Sequence, residues 1–330
     1  MFKKTALAAL AASTLLGGTA LAAGDKPGEG VTVRPVIQPL VEEFFQARIV
    51  FRALEDLGYE VEEPQEVLAQ TLHLALGTGD GDFTTVSWDG LHNNFFEEAG
   101  GDAVLEKTGY LVRGALQGYL VNKSAYDAGV QSIADLKDPE KAKLFDADGD
   151  GKADLAGCVP GWGCERVIEH QLTEYDLRDT VNHNQGEYNA IIADTIARNE
   201  AGENILYYTW TPYWVSGVLA PGENVEFLSV PYTSLPGDND APTTFEGKNL
   251  GFAVDSIRIV ASDDFLAANP AAAKLFEVMT ISVNDVSAQN KKVADGEDSS
   301  EDIDRHVEEW IAANKGIYNG WLAVARAAAK

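Results

Sequence analysis

The sequence predicts an α/β protein built from two domains. Two observations predict it. Runs of strand character alternate with helical runs, the pattern of an α/β architecture with largely parallel sheets. About 300 of the 330 residues follow an N-terminal export segment, enough to bury a large core and more than one domain usually holds.

The export segment comes first. Lys3 and Lys4 give a positive start, an Ala/Leu-rich run follows, and Ala20-Leu21-Ala22 supplies the small residues of a cleavage site. Residues 1–22 therefore read as a signal peptide, and the mature chain as periplasmic. The run is broken by Gly17, Gly18 and Thr19, which disfavours a membrane anchor. The first mature strand is expected at 31–36, then a helix over about 40–57 closed by Gly58. A strand at 59–62, helical residues over about 66–76 and a strand at 83–87 ending at Trp88 complete this first unit. A second unit is expected after Gly118-Tyr119-Leu120-Val121. It holds an Asp/Gly-rich loop, a Cys loop, helices over about 164–172 and 188–199, and a strand at 205–209 ending at Trp210. Residues 222–240 read as connecting chain, 250–260 as a strand, and 303–329 as helix.

The formal net charge is -27. Such a field repels nucleic acid and anionic lipid, so neither is an expected partner. The two cysteines, Cys158 and Cys164, stand close together. In an oxidising compartment that pair reads as a disulfide, with Pro160, Gly161 and Gly163 allowing the tight turn. A metal site would need His or carboxylate partners at spacings this segment lacks.

Among the six tryptophans, Trp88 and Trp210 are expected just after strands, where open α/β sheets bind ligands. Trp162 is expected at the tip of the Cys loop, directly before a helix. A single tryptophan is usually core. Three at such positions, flanked by Gly, Pro, Asp or Thr, point instead to a cage for a cation, because the indole faces carry the negative lobe of the ring quadrupole. A methylated ammonium suits it: the ion has no N–H to satisfy and desolvates easily. If the guest carries a carboxylate, Gly163 and Cys164 offer backbone N–H groups at a helix N-terminus. His92, four residues after Trp88, offers a third donor.

These residues resemble the ProX-type glycine betaine/proline betaine binding proteins of ABC importers. The resemblance is carried by Gly157-Cys158-Val159-Pro160-Gly161-Trp162-Gly163-Cys164-Glu165, by Asn182-His183-Asn184-Gln185-Gly186, by Tyr207-Tyr208-Thr209-Trp210-Thr211-Pro212-Tyr213-Trp214 and by residues 88–101. It implies a two-lobed periplasmic binding fold of type II with ligand in the cleft between lobes. Residues 23–117 and 232–330 would form one lobe and 118–231 the other. It implies that Trp88, Trp162 and Trp210 cage a trimethylammonium group while His92, Gly163 and Cys164 hold a carboxylate. The partners implied are a small osmolyte and the permease of an ABC transporter, with the chain itself a monomer. Gly90 stands where the family usually has proline, a change expected to loosen the loop carrying His92. Choline, proline betaine or dimethylsulfoniopropionate are rival ligands for the same cage.

Asp146, Asp148, Asp150 and Asp154 have the spacing of a calcium loop with Gly151 at its sixth position. The twelfth position is Gly157, so the usual bidentate glutamate is missing, and a calcium ion there is expected to be structural only. No cofactor is expected to be required. No Gly-x-Ser-x-Gly, His-Glu-x-x-His or phosphate-loop motif occurs. An enzymatic reading therefore has no nucleophile and base to rest on.

Overall fold

The structure is a computed structural model that describes residues 26–237 and 239–330. The expected signal peptide lies outside these residues. Among the described residues no helix is long and apolar enough to cross a membrane.

One strand organises the molecule. Leu105–Asn122 runs unbroken for 18 residues. Its first part pairs antiparallel with Asp255–Ser262, from Leu105↔Ser262 to Ala115↔Asp255. Its last part pairs antiparallel with Leu206–Thr211, from Leu116↔Thr211 to Val121↔Leu206. The partner therefore changes between Ala115 and Leu116, and the one strand serves both lobes. The expected start of a second unit after Val121 is thus not a break in the chain. Gly118, like Gly109 and Gly114, lies within the strand. Gly114 has φ +79, a left-handed kink that glycine tolerates at the point of transfer.

The sheet grows outward from this strand in both directions. Phe83–Trp88 pairs antiparallel with Asp255–Ser262 in the first lobe. Ala153–Ala156 and Val181–Asn184 extend the second lobe in parallel beyond Leu206–Thr211. Val225–Phe227 adds antiparallel to the far end of the long strand. The sheet is therefore mixed rather than largely parallel. The long strand, its three partners and Phe83–Trp88 make the antiparallel share, and those returning pairings are long-range, invisible to local periodicity.

Several local boundaries differ from expectation. The first strand is split into Thr32–Val33 and Val36–Ile37, each parallel to a two-residue partner. Pro35 between them has no N–H to give a ladder, and Arg34 turns its backbone N–H and guanidinium to Asp82. The segment 222–240 contains the Val225–Phe227 strand. Trp210 lies inside the Leu206–Thr211 strand, not after it.

The first lobe is closed by helices. Phe44–Asp56 buries Phe45, Ile49, Val50, Ala53 and Leu54 along one face. The C-terminal helices Ser300–Ala313 and Lys315–Ala328 pack on Phe44–Asp56 and Pro270–Val278. The chain thus returns to its first lobe after crossing the second.

Candidate functional site

Trp88, His92, Trp162, Gly163, Cys164 and Trp210 line one cavity between the lobes. Trp88 ends the edge strand of the first lobe. Its backbone N–H donates to His92 Nδ1 (3.2 Å), while the His92 N–H returns to the Trp88 carbonyl (2.8 Å). This five-residue loop places both side chains at the cleft. Because Nδ1 accepts, the ring proton sits on Nε2. Burial pushes His92 well below the usual histidine range, and neighbouring His73 and Lys107 reinforce that. The imidazole is therefore a neutral donor.

The loop is firmly held. The N–H groups of Gly90 and Leu91 each donate to the Asp255 carboxylate at 2.9 Å, and Asn239 donates to the Gly90 carbonyl at 2.7 Å. A proline at 90 would lack the first of these donors. The expectation that Gly90 loosens the loop is corrected: its N–H is one of the ties that fix it.

The second lobe supplies the opposite wall. Trp162 and Trp210 meet edge to face, centroids 5.7 Å apart with an interplanar angle of 74°. Tyrosines back Trp210: Tyr213 at 4.4 Å, Tyr188 at 4.7 Å and Tyr208 at 6.0 Å between centroids. Their hydroxyls are spent elsewhere, Tyr188 on the Tyr208 carbonyl and Tyr213 on Asn189. The rings are thus locked by packing and hydrogen bonding together.

Gly163–Glu174 is a helix whose N-cap, Trp162, offers no side-chain cap. Its first N–H groups have no intrahelical acceptor, and Gly163 and Cys164 line the cavity. A Cβ on Gly163 would sit 2.9 Å from Leu91 Cγ and 3.0 Å from His92 Cδ2. Only glycine lets the first-lobe loop lie directly on this helix end. Cys158 and Cys164 form a disulfide with their Cα atoms 6.1 Å apart. His183 braces that loop: Nε2 accepts from the Cys158 N–H (3.0 Å), and Nδ1–H donates to Glu169 (2.7 Å).

Sequence reasoning missed Glu43, Gln38, Leu40, Leu91 and Tyr208, which also line the cavity. Trp88 Nε1–H donates to Glu43 Oε1 (3.4 Å) and Gln38 Nε2–H to Glu43 Oε2 (3.2 Å). Burial pushes the Glu43 carboxyl up to about 8. Nothing in the sequence around Glu42 and Glu43 signals their burial. His183 was also passed over, since its partners stand far away in sequence.

At the Asp-rich loop, carboxylate oxygens of Asp146, Asp148 and Asp154 come within 4.8 Å of one another. Asp150 does not join them. Its carboxylate is drawn off by Asn182 Nδ2 (2.7 Å) and the Lys152 N–H (2.8 Å). The other three accept from backbone N–H groups of Ala147, Gly149, Asp150 and Gly151. Three carboxylates suit a hard cation, and the same bonds also close the turn by themselves.

Residues 31–313 match the family model described as the substrate binding domain of ABC-type glycine betaine transport systems. The chain is 49% identical over 331 residues to the glycine betaine-binding periplasmic protein OusX of Dickeya dadantii, covering 99% of this chain and 100% of that one. It is 49% identical over 330 residues to the glycine betaine/proline betaine-binding periplasmic protein of Escherichia coli, with the same coverage. The fold is similar to that of lactococcal OpuAC in its closed form complexed with glycine betaine, with a TM-score of 0.67, 17% identity, and 88% of this chain and 99% of that one covered. A choline-binding protein in complex with choline is similar at a TM-score of 0.69 and 18% identity, with 91% of this chain and 98% of that one covered. The chain therefore belongs to the family of substrate-binding domains of ABC-type glycine betaine transport systems.

Proposed function

We infer that the chain is the periplasmic binding component of an ABC importer and captures glycine betaine between its lobes. The observation that carries this reading is the convergence of Trp88 from one lobe with Trp162 and Trp210 from the other on one cavity. The trimethylammonium group would sit among the three indoles. Each desolvated cation–π contact is worth about 2 kcal/mol, so three supply most of the roughly 8 kcal/mol of micromolar binding. The carboxylate would take the N–H groups of Gly163 and Cys164 and the Nε2–H of His92, with the helix dipole in support. Rigid rings and a disulfide-pinned loop leave little to order on binding.

Ligand bridges the lobes and so favours the closed form, which a permease would recognise. In this reading the protein works as a monomer, needs no cofactor and leaves its ligand unchanged. A calcium ion on Asp146, Asp148 and Asp154 would brace their loop only, so added calcium would raise the melting temperature without altering betaine affinity.

A calorimetric panel of glycine betaine, proline betaine, choline and glycine tests the proposal. Saturable binding of glycine betaine, with no binding of unmethylated glycine, is expected. Absence of binding by every methylated ligand would end it.

A further inference from the structure

Glu43 is a buried acid in the wall of the cavity, with an exposure of 6%. The cage and carboxylate clamp described above make no use of it. Both of its oxygens accept: Oε1 from Trp88 Nε1–H and Oε2 from Gln38 Nε2–H. Two donors aimed at two oxygens would steady the ionised carboxylate once a cation is near, while a protonated acid keeps acceptor capacity for both of them. No ion pair involving Glu43 is present among the described residues. The charge that acts on it is Glu42, a second buried acid at the adjacent position. A buried carboxylate without a cation is costly and keeps its proton instead. Consistent with that cost, burial pushes Glu43 up to about 8.

The surroundings offer no internal counter-ion. Across the cavity, His92 is held neutral by burial, and Tyr208 spends its hydroxyl on Gln117. Lys107, behind His92, is bound to Asp89 and Asn93. On the helix that follows Glu43, Arg48 is paired with Asp304 and Arg52 with Glu308. On the helix packed against residues 41–43, Lys291 and Lys292 are paired with Asp295 and Glu309, and Asp285 accepts from Trp310. Glu42 faces Tyr213 and Trp214 of the second lobe, with Glu187 adding a further negative charge there. What the site lacks is a cation, and the cage beside it is shaped for one.

We propose that Glu43 is the counter-ion of the bound quaternary ammonium, acting through the Trp88 indole, and that glycine betaine binding expels its proton to solvent. This rests on the reading of the cavity as a betaine site. The balance is simple: the neutral carboxyl becomes a carboxylate, one proton leaves to buffer, and the ligand's fixed positive charge replaces it. The ionised carboxylate, accepting from Nε1–H, pushes electron density into the indole whose face meets the cation. Glu43 is thus a positioning residue for the cage, and it ties affinity to pH.

The sign follows from linkage. Below the free-state pKa of Glu43 the empty site holds a proton that the loaded site does not, so affinity falls as pH falls. Glycine betaine should bind more tightly with rising pH, by up to about tenfold per unit between about pH 6 and 8. His92 would contribute the opposite sign, because a carboxylate ligand favours protonation of imidazole.

The experiment is calorimetric titration of the mature protein with glycine betaine at pH 7 in phosphate and in Tris, whose ionisation enthalpies differ. The expected result is release of about half to one proton per betaine. The release should vanish in Glu43→Gln and persist in Glu43→Asp. The isostere 3,3-dimethylbutanoate, with an uncharged tert-butyl head and the same carboxylate, should bind more weakly and release none. Zero exchange, proton uptake, or release that survives in E43Q would overturn the proposal while leaving betaine binding intact. Failure of betaine to bind at all would sink the underlying reading instead. Should E43Q not fold, infrared difference spectra of the wild type decide: betaine must convert a protonated carboxyl band into a carboxylate band, and an unchanged carboxyl region overturns the idea.

Discussion

His92 and His73 show how burial fixes the chemistry of single residues at this site. Their rings lie 5.6 Å apart, edge to face, and burial holds both imidazoles neutral. His73 is the structural member: Nδ1–H donates to the Ala69 carbonyl and Nε2 accepts from Ser87. Its pKa is pushed down to about 4. An unfolded chain protonates histidine near 6.5, so the unfolded state binds more protons below that value. This residue's contribution is therefore lost as pH falls from about 6.5 to about 4, by about 3 kcal/mol in all. Urea unfolding across that window should show the stability gap between the wild type and His73→Gln narrowing as the pH drops. In the proposed site His92 is the functional member. Truncation to alanine there removes one hydrogen bond to a charged group, worth about 2 kcal/mol, and should weaken betaine about thirtyfold; it also leaves the Trp88 N–H without its Nδ1 acceptor, so melting should fall by the equivalent of about 1–3 kcal/mol. Titration calorimetry and melting of H92A check both halves.

The tryptophans, His92, Gly163 and Cys164, which line one cavity, could be picked out one by one from residue type and local neighbours. Glu43 could not. A carboxylate reads as solvent-facing wherever it stands, and nothing around position 43 shows that Gln38 and the distant Trp88 enclose it.

At the scale of elements, the loop 88–92 depends on a strand distant in sequence. Asp255 opens Asp255–Ser262 and accepts from Gly90, Leu91 and Ser256 N–H groups at 2.8–2.9 Å. Burial nevertheless pushes its carboxyl up to about 6. Asp255→Ala leaves two buried N–H groups of the His92 loop without partners, each costing about 1–3 kcal/mol. Melting should fall, and betaine affinity should fall with it. Unchanged affinity in a folded D255A protein would show that the loop needs no such support. Helices such as 44–56 and 188–200 were readable from periodicity and from closing glycines. The 18-residue strand was not. Its three glycines mimic turns, and its continuity is set by partners at 206–211 and 255–262, which pair with it only once the chain has crossed twice.

For the whole molecule, direct polar contacts also join the lobes at the cleft. Arg166 Nη2–H donates to Glu98 (2.8 Å) across the lobes, and its guanidinium lies 4.9 Å from the Phe95 centroid. Both charged side chains are over a third exposed, at 37% and 41%, so the pair is worth at most about 1 kcal/mol. Glu98→Gln should cost no more than about fivefold in betaine affinity. Calorimetry showing a hundredfold loss would mean that this latch, rather than the ligand, holds the lobes together. Ligand as the main bridge also predicts a smaller radius of gyration at saturating betaine, readable by small-angle scattering; an identical profile with and without betaine speaks against closure.

The most direct measurement is intrinsic tryptophan fluorescence during glycine betaine titration of the wild type and of Trp162→Ala. The expected result is a saturable change at micromolar ligand in the wild type. Loss of one indole face, worth about 2 kcal/mol, should then raise the half-saturation point about thirtyfold in W162A. Equal affinity in the two proteins, or no response from the wild type, would contradict an aromatic cage for the methylated cation.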